Sequence, residues 1–308
     1  SYSELNLNGG TIRASGSNPN FLHDVLFVNL AAGGVTFDSQ AFDITIPQSL
    51  TDSGGGLIKN GSGTLTLTGA AAYSGATVVN AGRLVISTTS GGGSYTLADG
   101  TRYSLNVLAL NAQVPMTSLT MGTATGVTLD FNMGLHGVNT AAPVAVSGAV
   151  TANGNITVNI PSGAFTIGTI PLISYGSSSG SATYVTGTLP VGVAGYVTNN
   201  TTASRVELVV TAAAAPRWDG TVNGNWDINT TVNWVDLATA SPTVFQNGNP
   251  VVLNDQAVGT TDINVVQDVL TSSVLVTNSA LSYSISGSKA IGGTGGLTKQ
   301  GRDRKSVV

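Results

Sequence analysis

Apolar and polar residues alternate along most of this chain. In 63-GTLTLTG-69, Leu65 and Leu67 fall on one side and Thr64, Thr66 and Thr68 on the other. Val127, Leu129 and Phe131 repeat the pattern, as do Ile156, Val158 and Ile160. So do Val206, Leu208 and Val210, then Val274 with Val276, and Tyr283 with Ile285. A period of two over short runs predicts half-buried β-strands, because successive side chains of a strand point to opposite faces. Asn-Gly, Asp-Gly, Ser-Gly and Gly-Gly steps separate the runs and mark turns. No apolar face at helical spacing is sustained, and glycine at 40 positions would weaken any helix. Only 20–31 is arguable, and there Val25, Phe27 and the following VTFD read more easily as strands.

Many short strands between glycine turns predict an all-β sandwich, barrel or solenoid. Self-similarity selects among these. The phrase 54-GGGLIKNG-61 returns as 293-GTGGLTKQG-301, with Leu57 and Leu297, and Lys59 and Lys299, 240 residues apart. Long-range repetition with little charge predicts a right-handed parallel β-helix over residues 1–210. Each coil, of about 20–25 residues, buries its inward side chains on the coils above and below. Outward Thr, Ser and Asn then form ladders that need no charge. Gly54, Gly55, Gly56, Gly61 and Gly63 are corner candidates, where a positive φ is expected. Lys59 is expected to point outward at such a corner as a solubilising residue.

The 308 residues are 41% hydrophobic, enough to fill a core, but only 8% charged, far below ordinary usage. The net charge is −4 and no basic run precedes the last few residues, so nucleic-acid binding has no electrostatic footprint. Cys is absent, which removes disulfides and thiolate metal sites and fits an exported bacterial protein. No apolar run reaches the roughly 18 residues of a membrane-spanning helix. The chain begins with Ser1 and reads as a piece of something longer.

Candidate chemistry is sparse. His23 and His136 lie far apart and suggest no triad, and no metal or cofactor signature occurs. The candidate acids are Asp24, Asp38, Asp43, Asp52, Asp99, Asp130 and Glu207. Paired carboxylates cleave glycosidic bonds, but none of these lies beside another within a strand. Asp130, between Leu129 and Phe131, should face outward. The chain is therefore not expected to be an enzyme. Trp218, Trp226 and Trp234 are evenly spaced. They read either as a strip that contacts carbohydrate or as a plug over the apolar end of a new unit. The turn at Asn223-Gly224-Asn225 means they need not share one strand.

One longer pattern is specific. Gly56, Leu57, Lys59, Gly61, Gly63, Thr64, Leu65, Leu67 and Gly69 are followed by Tyr73, Gly75, Thr77, Gly82, Leu84 and Ile86. In this order, segment 54–86 resembles the passenger-associated transport repeat, the autotransporter-associated β-strand repeat of bacterial secreted β-helices. Residues 216–234 and the stretch after them look like the opening of a large tandem surface unit, and 166–200 like the close of one. The resemblance implies one unit over 1–210, a junction at 211–217 and the start of the next β unit at 218–301. The family pattern continues after GGLTKQG with another G.GTLTL.G. Instead 303-DRKSVV-308 follows, which the codons GAT CGG AAG AGC GTC GTG of a sequencing adapter would encode. Residues 303–308 are therefore expected to be a non-native tail.

The resemblance also implies a role: a structural or adhesive stalk or scaffold of an autotransporter-like protein, secreted or held at the Gram-negative outer membrane surface. Expected partners are extracellular glycans or surface proteins, with no nucleic acid and no cofactor. Membrane attachment is expected only through a C-terminal translocator or anchor absent from this sequence, and the fragment is expected to be monomeric. The alternatives are a carbohydrate-binding module built on the three tryptophans and, less favoured, a polysaccharide-degrading β-helix enzyme.

Overall fold

The computed structural model describes residues 3–134, 136–137, 139–162, 165–190, 193–213, 215–237, 240–293 and 296–300; the tail expected at 303–308 lies outside them. Every regular element among the described residues is a β-strand. The chain opens with β1 (Glu4–Leu7), β2 (Thr11–Arg13), β3 (Phe27–Ala31), β4 (Val35–Asp38) and β5 (Ile44–Ile46). It continues with β6 (Leu50–Ser53), β7 (Leu57–Asn60), β8 (Thr64–Leu67), β9 (Thr77–Val79) and β10 (Arg83–Ser87). In this run the chain visits three walls in turn. One holds β1, β3 and β6, the next β2, β4, β7 and β9, and the third β5, β8 and β10. Each return lays a strand parallel to its predecessor in the same wall.

The second and third walls then grow by β11 (Ser94–Leu97), β12 (Arg102–Asn106), β13 (Val114–Met116), β14 (Ser118–Met121), β15 (Thr128–Asn132), β16 (Val144–Ala152) and β17 (Asn155–Ser162). These strand pairings are all parallel as well. The molecule is thus all-β with parallel sheets, consistent with a β-helix. Of the arguable stretch, Phe27 does open β3, but Val25 precedes it. Val28 and Leu30 are the buried residues there, while Phe27 is exposed.

Register turns the sequence alternation into continuous columns. On the inner face of the second wall, Ile12, Phe37, Lys59, Val79, Leu97, Met121 and Ala152 stack in line. Beside it run Val35, Leu57, Thr77, Tyr95, Leu119 and Val150. The third wall contributes Ile44, Leu65, Leu84, Tyr103, Leu129 and Val158. All but Ile12 are buried, and their apolar members belong to one continuous core. The outer face of the second wall carries Thr11, Thr36, Ile58, Val78, Thr96, Thr120, Thr151 and Ser179 as another unbroken column.

The parallel stack does not run to residue 210 as expected. After β18 (Gly168–Ser179) and β19 (Thr183–Thr186) come β20 (Val193–Asn200) and β21 (Arg205–Ala213). β18 still pairs parallel to β16, but its other edge pairs antiparallel to β21, which pairs antiparallel to β20. The reversal is local: Ala203 N–H donates to Asn200 Oδ1 at 3.0 Å, and Ser204 takes φ 51°. A meander of this kind occupies backbone groups that an open parallel edge would leave unpaired.

A second set of strands follows: β22 (Pro216–Trp218), β23 (Asn225–Trp226), β24 (Trp234–Asp236), β25 (Pro242–Thr243), β26 (Pro250–Leu253) and β27 (Asp262–Val265). β28 (Val269–Thr271), β29 (Ser273–Val276), β30 (Ser284–Gly287), β31 (Ile291–Gly293) and β32 (Leu297–Lys299) complete it. Its parallel walls are β22-β26-β29-β32, β23-β27-β30 and β28-β31, with β24 and β25 antiparallel beside β22. It has its own core of Trp218, Trp226, Trp234, Phe245 and aliphatic residues. Its last strands echo the first ones. Leu57 pairs with Val35 and Lys59 with Phe37; Leu297 pairs with Val274 and Lys299 with Val276.

The corner glycines answer two different needs. Gly54 and Gly61 do take positive φ, 86° and 83°. Gly55, Gly56 and Gly63 do not; they are glycine because the neighbouring rung passes too close. A Cβ on Gly63 would lie 2.0 Å from the Phe42 carbonyl oxygen. Gly63→Ala is expected to destabilise the fold by about 1–3 kcal/mol, the cost of forcing atoms into a packed site. Gly16→Ala, where no atom lies within 4 Å of the added carbon, should stay within about 0.5 kcal/mol of the parent. Urea unfolding of the two variants checks both; equal midpoints would contradict the cross-rung role.

Candidate functional site

The repeat residues of segment 57–86 lie on and between β7 and β10. Alternation on β7 points Leu57 and Lys59 inward and leaves Ile58 outward. Lys59 is fully buried, which corrects the expectation that it solubilises a corner. Its Nζ donates to the carbonyls of Asn60 at 2.9 Å, Gly61 at 2.7 Å and Ala81 at 3.2 Å. The first two belong to its own corner, the third to the corner of the next rung. Three acceptors match the three donors of an ammonium group. Half-buried corner carbonyls need donors, and the lysine, set between Phe37 and Val79 in an otherwise apolar column, supplies them. Burial lowers the Lys59 pKa to about 8, while Asp38 and Asp43 pull the other way.

The rest of the repeat is equally internal. Leu65, Leu67, Leu84 and Ile86 are core residues. Tyr73 is buried with its hydroxyl 2.8 Å from Thr77 Oγ1. Tyr95 continues this polar pair and meets Tyr103 edge-to-face at 6.1 Å. Burial raises Tyr73 and Tyr103 well above the ordinary tyrosine value and Tyr95 to about 12. Gly69, Gly75 and Gly82 meet backbone atoms of the adjacent rung, as Gly63 does.

The acids are fasteners. Asp99 accepts the Thr123 hydroxyl at 2.6 Å and the N–H groups of Thr123, Ala124, Thr125 and Gly126, one rung later. The Thr123 hydroxyl and then those N–H groups hold its carboxyl well below the usual range. Asp255 does the same for Ser279, Ala280 and Leu281. Asp43 caps Thr64 N–H, and Asn8, Asn111, Asn153 and Asp268 repeat the motif at Gly33, Thr140, Ser181 and Ala290.

Asp130 does face outward as expected, yet it is buried beneath Arg102 and Arg83. It also accepts from Ser104 at 2.6 Å and Asn159 at 3.0 Å. Burial alone would raise its pKa; the bonds from Arg102, Ser104 and Asn159 outweigh that and keep it low. Asp38 is held by Gln40 and Arg13, Glu207 by Arg205 and Asn200, and Asp24 by His23. The side chain of Asp52 lies outside the described residues. Among the described residues no three His, Cys, Asp or Glu side chains converge as metal ligands.

The tryptophans do not form a sugar-binding strip. Trp218, Trp226 and Trp234 are 0%, 0% and 1% exposed. Trp218 and Trp226 each meet Trp234 edge-on, at 4.9 and 5.1 Å, and Phe245 packs 5.3 Å from Trp226. Trp218 Nε1 donates to the Thr260 carbonyl at 2.7 Å. They fail as a strip because antiparallel pairing of β22 with β24 sets Trp218 against Trp234 inside one layer. The outer face of the second wall carries two shallow grooves. One of about 340 Å³ is floored by Gly34, Gly56 and Ala76, and one of about 400 Å³ lies at Pro115, Met116 and Val146.

Residues 57–86 match the family model described as Passenger-associated-transport-repeat. The chain therefore carries an autotransporter passenger repeat, and its matched span begins at β7 and ends within β10. No curated protein and no solved structure matches the chain. No helix among the described residues is long and apolar enough to cross a membrane.

Lys59→Ala is expected to cost about 1–3 kcal/mol, since the Gly61 and Ala81 carbonyls lose their ammonium donor while that of Asn60 keeps the Ser39 N–H. The lysine also fixes a pH dependence. Its pKa is about 8 folded against 10.5 in the unfolded chain. Between these values the unfolded state binds more protons, so stability rises with pH, by at most about 1.4 kcal/mol per unit. Urea unfolding of parent and Lys59→Met at pH 7, 8.5 and 9.5 isolates the effect. The difference between them should move in the parent's favour as pH rises; a pH-independent difference would contradict it. Above pH 10 the buried tyrosines act oppositely, because raised folded pKa values lose stability as pH climbs.

Proposed function

We propose that this chain is a scaffold segment of a secreted or surface-exposed autotransporter-type passenger in a Gram-negative bacterium. Its parallel strands up to β19 wind as one right-handed β-helix, and β22 to β32 begin another. One observation carries this reading. From Leu57 to Ile86 the repeat residues turn into the core or into corners, where they hold rung to rung. The inward members of the repeat hold the fold together, and only outward side chains such as Ile58 and Val78 face solvent.

The same economy argues against an enzyme. The described candidate acids are committed to caps and ion pairs, and hydrolysis needs two carboxylates flanking an open cleft. Adhesion, where it occurs, uses the outer ladder of Thr11, Thr36, Ile58, Val78, Thr96 and Thr120. Its partners are extracellular glycans or surface proteins, since a nearly uncharged face offers hydroxyls and methyls and no field to steer nucleic acid.

An antibody raised against the chain is expected to stain intact cells of the bacterium that encodes it, or to find the protein in the medium. Staining that appears only after permeabilisation would overturn the surface assignment. A glycan array probed with the same chain separates the two halves of the role: bound sugars establish adhesion, and a blank array leaves the scaffold alone.

A further inference from the structure

Two of the few cations of this chain stand directly over one another. Arg83 on β10 and Arg102 on β12 are register partners on the outer face of the third wall. Their side chains are 40% and 46% exposed. Like charges opposite each other on adjacent strands repel, so the pair calls for an explanation, and Asp130 gives only part of one. Arg102 alone grips that buried carboxylate at both oxygens, Nε to Oδ2 and Nη2 to Oδ1. Ser104 donates to Oδ2 and Asn159 to Oδ1. These four bonds fill the acceptor sites of a carboxylate. Arg83 adds one longer contact, from Nη2 at 3.3 Å, and turns its Nε to Ser104 Oγ at 2.8 Å. One guanidinium therefore neutralises the buried acid, and the other is surplus to it.

The surplus charge is held in place and left open. Among the described residues the Nη1 group of neither arginine has a partner. Asp43 and Asp99 stand at the corner that leads into this wall, but N–H groups of adjoining rungs occupy them. Hydroxyls continue the column on either side: Thr64 pairs with Arg83, Thr128 with Arg102, and Thr157 with Thr128. Each lies one rung, about 4.8 Å, from the next. The face thus sets two cationic forks among neutral hydroxyls, the complement of a chain that carries oxyanions among sugar hydroxyls. Guanidinium forks take such oxyanions by parallel, charge-assisted N–H bonds. Going beyond the threonine ladder of the second wall, and resting on the extracellular reading above, we propose that Arg83 and Arg102 form a binding site for an acidic polysaccharide. The site takes its oxyanion groups, uronate carboxylate or sulfate ester. Asp130 is the positioning residue: from beneath, it holds two like charges one rung apart and keeps the forks side by side.

The test runs the whole chain by affinity electrophoresis through gels holding polygalacturonate, dextran sulfate or neutral dextran, each read against a polymer-free gel. Retardation by one or both acidic polymers, and none by dextran, is expected; the two acidic gels tell carboxylate from sulfate. Arg83→Gln leaves Asp130 its bonds from Arg102, Ser104 and Asn159. Its urea midpoint should therefore hold, while the apparent Kd rises about three- to tenfold, the loss of a charge-assisted bond partly in water. Arg13→Gln, beside Asp38 on the second wall, removes an equal charge and should leave retardation unchanged. Four results overturn the site: no retardation in any gel, equal retardation by dextran, no effect of Arg83→Gln, or an equal effect of Arg13→Gln. A large fall in the urea midpoint of Arg83→Gln would make that arginine structural and overturns it too. Surface staining decides the extracellular reading separately. A chain that is not retarded yet stains intact cells loses this site and keeps that reading; a retarded chain that stains only permeabilised cells does the reverse.

Discussion

Most strands of this molecule find their hydrogen-bond partners in parallel neighbours from earlier and later in the chain. That single constraint fixes rung spacing at about 4.8 Å, the distance between paired strands. Everything between two rungs must fit that gap, corners included. A side chain at a crowded corner has no room, which is why Gly63 and Gly75 face backbone atoms of a neighbouring rung. Inside the walls the same spacing brings like residues into contact, so columns such as Leu65, Leu84, Tyr103 and Leu129 stay in van der Waals register. Packing and hydrogen bonding are therefore one requirement here, and a slipped rung would lose both.

Corners are where that requirement strains. A turn points N–H and C=O groups along the stack with no strand to meet them, and buried backbone groups must be paired. The chain answers with two complementary side-chain devices. Carboxylates and amides at one corner accept N–H groups from the next, as Asp99, Asp43 and Asp255 do. An ammonium collects the carbonyls, as Lys59 does. Both devices reach forward one rung, so each corner is finished by the rung beside it. This explains how a chain with so few charges can place several of them where a solvent-exposed charge would be expected elsewhere.

The alternation that identified the strands was read correctly because it is local: inward Leu65 and Leu67, or Ile156 and Val158, need only their own neighbours in sequence. The repeat phrase was legible for the same reason. Lys59 was misplaced although the sequence held the signal, since it stands two residues from inward Leu57 and period two puts both on one face. What period and type together could not reveal was non-local. The antiparallel close at β18, β21 and β20 depends on which edge remains when the stack stops. The burial of Trp218, Trp226 and Trp234 depends on β24 folding back on β22. The need for Gly55, Gly56 and Gly63 depends on a rung some twenty residues away in sequence, as the Gly63 and Phe42 contact illustrates.

These points bear on how such a scaffold is extended. A purely aliphatic column would accept any apolar strand at its open end, and edge strands of that kind invite indiscriminate pairing. A lysine set within the column changes the condition. Its charge is tolerated at an edge in water, and it is tolerated in the interior only when a corner carbonyl arrives at the right height. Lys299 and Lys59 display those two states in one chain, the first exposed with one carbonyl, the second buried with three. The polar residue that interrupts the core is thus held there by the corner carbonyls it satisfies.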